Sequence, residues 1–65
     1  MKESLISSNE WLGLVYHCND AVLRGEKSFE YQGKTFGTGF KYIIALMAKD
    51  FDMTATIGED GKINL

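Results

Sequence analysis

Twelve consecutive residues, Phe40 to Phe51 (FKYIIALMAKDF), carry only three charges, on Lys41, Lys49 and Asp50. In a chain of 65 residues that is more apolar surface than one small sheet covers. A helix that is greasy on most sides is either buried on most sides or left for a partner. Length sharpens the problem, because a domain this small buries only about 60% of the surface its unfolded chain exposes. The usual remedies are disulfides, a metal or self-association. Cys18 is the sole cysteine and cannot pair within the chain. A structural zinc site takes four Cys or His ligands, and Cys18 and His17 are the only such residues present. The sequence therefore reads as one domain, 1–65, without metal or cofactor, held by packing or by homodimerisation.

Charge narrows the choice of partner. Seven basic residues stand against nine acidic ones, for a net charge of −2, and neither sign clusters. Nucleic-acid binders show a basic patch or stripe, so no nucleic-acid partner is expected. The opening MKESLISSNEW has no apolar core of the kind a secretory signal needs. No apolar run approaches the ~18 residues that span a bilayer. A lone reduced thiol is at home in the cytoplasm, which gives the expected location.

Periodicity lays out the elements. Ser7-x-x-Glu10 is a capping box, followed by apolar residues at helical spacing up to Gly25, a natural residue to stop the helix. At 100° per residue, Trp11, Val15, Cys18 and Val22 make a core stripe, while Leu12, Tyr16 and Leu23 form a second ridge. Gln32-Gly33 is a two-residue turn that pairs Tyr31 with Lys34 and Phe29 with Phe36. It puts Phe29, Tyr31 and Phe36 on one face, opposite Glu30 and Thr35. Gly37-Thr38-Gly39 then opens a second helix, with Thr38 as N-cap and an end near Asp50 or Phe51.

The last hairpin spans Met53 to Leu65. A two-residue Asp60-Gly61 turn would set Ile57 against Asn64 and mix an inner face with an outer one. A three-residue loop, Glu59-Asp60-Gly61 with Gly61 left-handed, pairs Ile57 with Ile63 and Ala55 with Leu65, keeping one apolar face. The fold class is thus α+β, two-layer, in the order α-β-β-α-β-β. Its expected form is a mainly antiparallel sheet with both helices on one face.

No chemical motif survives scrutiny. Gly33-Lys34-Thr35 echoes the end of a phosphate-binding loop, but Ser28 stands where the motif wants its first glycine. Gly37-Thr38-Gly39 offers backbone N–H groups to an anion or nucleotide, as any helix start does. His17 and Cys18 are adjacent on a helix and diverge by about 100°, so they do not make a nucleophile–base pair. The loop Gly58–Gly61 is too short and ligand-poor for an EF-hand. The expectation is that the chain is no enzyme.

What asks for explanation is a surface. On the second helix Phe40, Ile44, Met47 and Phe51 form the core face, flanked by Ile43 and Ala48. Tyr42 and Leu46, at i and i+4, point elsewhere with Ala45 and Lys49 beside them. Three bodies can cover that ridge: helix one through Leu12, Tyr16 and Leu23, a second copy of the chain, or another protein. The functional expectation is a small protein-binding regulator or inhibitor, of the sort phages and mobile elements use to occlude a host protein. Its contact residues would be Tyr42, Leu46 and Lys49, with Leu12 and Tyr16. A structural homodimer and a weak anion- or nucleotide-binding domain are the alternatives.

Overall fold

The computed structural model describes residues 6–65. Helix α1 (Ser8–Leu23) begins as its sequence dictates. The Ser7 Oγ accepts from the Glu10 N–H at 3.2 Å, and the Glu10 Oε1 accepts from the Ser7 N–H at 3.2 Å. Two of the orphan donors of the helix start are thereby satisfied. The other end closes in a Schellman motif, with Glu26 N–H on the Ala21 carbonyl at 2.9 Å and Gly25 N–H on the Val22 carbonyl at 3.1 Å. Gly25 takes φ +73° there, the left-handed conformation glycine enters without strain. The inner face buries Trp11, Leu14, Val15, Cys18 and Ala21. Val22, expected on the stripe, is only half-buried, because the buried arc is turned toward Leu14 and Ala21.

Strands β1 (Ser28–Tyr31) and β2 (Lys34–Gly37) pair antiparallel in the expected register, Phe29 opposite Phe36 and Tyr31 opposite Lys34. Gln32 and Gly33 both have positive φ, 52° and 78°, the turn whose twist matches that of the strands. Phe29, Tyr31 and Phe36 pack against the core. Tyr31 also lies over α1: a Cβ on Gly13 would fall 2.9 Å from its Cζ. Gly13 is what lets that ring approach the helix backbone.

The second helical run departs from expectation in its detail. It consists of a 3-10 turn (Thr38–Phe40), a short α-helix α2 (Lys41–Leu46) and a second 3-10 segment (Met47–Phe51). Thr38 is not its N-cap. Gly37 holds that position without a side-chain bond, while the Thr38 hydroxyl donates to the Lys27 carbonyl at 3.3 Å, where the Thr38 N–H already bonds at 2.9 Å. The tightening after Leu46 falls near the point where the Trp11 indole N–H donates to the Ile44 carbonyl at 2.8 Å. A side-chain donor entering a helical ladder is a recognised cause of such irregularity. Ile44 and Ala48 are buried, Phe40, Met47 and Phe51 pack at the core edge, and Ile43 is exposed.

Asp52, at φ 57°, ends this run in the left-handed region that Asp tolerates better than most residues. The Met53 N–H then bonds back to the Ala48 carbonyl at 2.9 Å. Strands β3 (Thr56–Ile57) and β4 (Ile63–Asn64) follow, with Ile57 opposite Ile63. The loop has the three-residue form: Gly58 N–H to Lys62 O and Gly61 N–H to Gly58 O, both at 2.9 Å, with Gly61 at φ +86°. Pairing stops at Thr56 and Asn64, so Ala55 and Leu65 lie beyond the ladder.

The class and element order are those expected, a small α+β fold. The strands, however, form two separate two-stranded sheets, β1–β2 and β3–β4, rather than one continuous sheet. One physical reason is Asn19. From the border of the α1 stripe, its Nδ2 donates to the Ile63 carbonyl at 3.0 Å, and its Oδ1 accepts from the Ile63 N–H at 2.7 Å. That side chain imitates a neighbouring strand and closes the outer edge of β4. The core joining the layers is α1, Ile44, Ala48 and Ile63, with the Trp11 ring tilted on Phe51 at 5.4 Å.

Candidate functional site

The site grows from the reversal at Asp52. It turns the chain back so that residues 54–57 run beside α2, and the two walls enclose an open groove of about 200 Å³. The helix contributes Tyr42, Ala45, Leu46 and Lys49, and the strand side contributes Thr54, Ala55 and Ile57. Tyr42 is 59% exposed and Leu46 62%. Both lie on the helix face opposite Ile44 and Ala48, since one face of a six-residue helix cannot serve two layers. The Lys41 ammonium sits 5.5 Å from the centroid of the Tyr42 ring, within reach of a cation–π attraction. Lys49 is the one charged residue in the lining.

Helix one does not cover this ridge. Leu12 is 36% exposed, and Tyr16 and Leu23 are 71% and 67%, so the side-by-side meeting of ridges does not occur. The five predicted contact residues fall into two groups. Tyr42, Leu46 and Lys49 line one groove; Leu12 and Tyr16 stand on α1 and do not line it. Tyr16 instead begins an aromatic row, edge-on to His17 at 5.8 Å, with His17 against Tyr31 at 4.9 Å. His17 is exposed, with Nδ1 2.8 Å from the Gly13 carbonyl. A carbonyl only accepts, so Nδ1 carries the proton in that bond.

The β3 wall lies outside the residues that the sequence points to, because only the left-handed turn at Asp52 brings residues 54–57 beside α2. A second hollow of about 230 Å³ lies between the start of α1 and the first hairpin, with Glu10, Tyr31 and Lys34 at its rim. Its carboxylate is already engaged by the capping box, which leaves the α2 groove as the better candidate.

Other chemistry is thin. Cys18 is fully buried and unpaired. Burial pushes its thiol above the ordinary value of 9.0, an effect that the Lys41 charge partly offsets. A buried, protonated thiol is a packing group rather than a nucleophile. Around Gly37–Gly39 the Thr38 hydroxyl is turned back to Lys27, and Lys41 leans over Tyr42. Among the described residues no group of three His, Cys, Asp or Glu side chains is placed to hold a metal. No helix among them is long and apolar enough to cross a membrane.

No protein-family model, curated protein or solved structure matches this chain, so the reading of the groove rests on its own residues.

Proposed function

We propose that this chain is a non-enzymatic protein-binding module, a cytoplasmic regulator or inhibitor that works by occluding a partner protein. The groove between α2 and residues 54–57 is its contact surface. One observation carries the reading: Tyr42 and Leu46 are more than half exposed and stand together on the wall of that groove. Aromatic anchors beside apolar neighbours are typical of the few residues that dominate binding. The acidic net charge and the single groove lysine are a poor match to nucleic acid, whose binders release counterions through many basic contacts.

The test is a matched pair of captures from host lysate, one with the wild-type chain and one with Tyr42→Ala/Leu46→Ala. A partner held by the first and lost by the second, with unchanged circular dichroism, is the expected result. Equal recovery by both removes the groove from the interface. Light scattering on the free chain separates the homodimer reading: a two-fold mass that reverts to monomer in the double variant assigns the ridge to a second copy.

A further inference from the structure

The two edges of the C-terminal hairpin are not equivalent. The Gly58 N–H bonds the Lys62 carbonyl, so that donor and acceptor point into the hairpin, while the Lys62 N–H is taken by Asp60 Oδ1 and the Gly58 carbonyl by the Gly61 N–H. In an antiparallel ladder the direction alternates along each strand. Ile63 on β4 and Ile57 on β3 therefore point theirs outward, and continuing the alternation one step past the ladder puts Ala55 on the same side as Ile57. On the β4 side both outward groups of Ile63 are taken by Asn19. On the β3 side no corresponding partner for Ala55 or Ile57 occurs among the described residues. Ala55 and Ile57 are also the residues that form the strand wall of the groove.

That edge is short, with only Thr56 and Ile57 in the ladder, and brevity is its one protection. Met53-Thr54-Ala55-Thr56-Ile57 contains no charge and no proline, and lysines, prolines or bulges are what natural edges use to refuse a foreign strand. We propose that the groove receives an extended segment of another protein, which adds as a strand to the outer edge of β3. Its inward side chains would be apolar and rest on Tyr42 and Leu46, and one acidic side chain would face Lys49. The inference rests on the groove being the binding surface and adds the form of the ligand. Main-chain bonds supply affinity in such strand addition, and alternate side chains supply specificity.

Charge selects the occupant. Lys49 is the only ionised group of the lining and makes no ion pair among the described residues, so it complements a carboxylate. A second copy fits less well. The strand that a second copy would offer, residues 53–57, carries no carboxylate to face Lys49.

The experiment uses the full chain and a pool of synthetic peptides with Val, Ile, Leu, Phe or Tyr at alternate positions and Glu or Lys between them. Selection should favour Glu over Lys at one position, and Lys49→Glu should reverse that preference. The best peptide should slow amide hydrogen exchange of Ala55 and Ile57 by at least ~10-fold, the signature of new main-chain bonds. N-methylation of the peptide amides facing β3 should abolish binding, whereas methylation of the alternate set should leave it within ~3-fold. Binding that depends on Tyr42 and Leu46 but leaves those two amides unprotected would overturn strand addition while sparing the groove. Binding with protected amides in Tyr42→Ala/Leu46→Ala at wild-type strength would overturn the groove reading instead. No selection from the pool at millimolar concentration, or a dimer protecting Ala55 and Ile57 without peptide, would also overturn the proposal.

Discussion

Helix α1 and the helical run from Thr38 to Phe51 carry comparable apolar loads and dispose of them in opposite ways. In α1 the ends are fixed by side-chain and backbone caps, and five residues of one face are buried. The second run has no side-chain cap at any of its three segments. It buries only Ile44 and Ala48 and leaves Tyr42 and Leu46 more than half exposed and Ile43 49% exposed. Helix stability in proteins comes mainly from tertiary packing of an apolar face. The first helix is therefore stabilised from within the chain, and the second is held largely by what it leans on. The difference teaches that apolar excess in the second run is a surface, not a larger core.

Trp11 joins the two regions, and its removal should be the most damaging change. The indole is fully buried, bonds Ile44 O and packs on Phe51. Trp11→Ala should cost about 3–5 kcal/mol. A domain of this length holds roughly 3–10 kcal/mol in all, so urea titration should find the variant unfolded or nearly so. A cooperative transition close to wild type would mean the helices do not depend on each other.

Next comes Asn19, which ties α1 to the second hairpin. Asn19→Ala leaves both backbone groups of Ile63 without their protein partner, for about 1–3 kcal/mol. The loss should be local first: exchange of the Ile63 amide accelerates while α1 amides stay protected. Uniform acceleration across the chain would show the hairpin and helix opening as one unit. Smaller again is the cap. Ser7→Ala should cost about 1 kcal/mol, seen as a lower urea midpoint with an unchanged slope, and an unmoved midpoint would mean that α1 gains nothing from its capping box.

Where local rules govern, the sequence was sufficient. The capping box, the Gly25 stop, the Gln32-Gly33 turn and the three-residue Glu59–Gly61 loop each follow from a few neighbouring residues, and each stands where periodicity and turn chemistry put it. What was not legible depends on distant partners. Thr38 has the chemistry of a cap, yet the Lys27 carbonyl, eleven residues away, claims its hydroxyl. Asn19 reads as an ordinary polar residue at the stripe border; only the fold brings Ile63 to it. Helical geometry alone made the Tyr42–Leu46–Lys49 face legible as a ridge turned away from the core face, and only the fold shows that helix one leaves it exposed. Its opposing β3 wall was not legible, because that wall exists only after the left-handed turn at Asp52 reverses the chain.

The direct test of the contrast is the stability of Tyr42→Ala/Leu46→Ala by equilibrium urea unfolding. Full burial of such side chains is worth about 1.5–3 kcal/mol each. These two are about 60% exposed, and alanine regains a few tenths of a kcal/mol in helix propensity. The double variant should therefore lie within about 1–2 kcal/mol of wild type, with the same denaturant slope and a cooperative transition. A loss of about 4 kcal/mol or more, the scale of two core truncations, would place the ridge in the core and contradict the account.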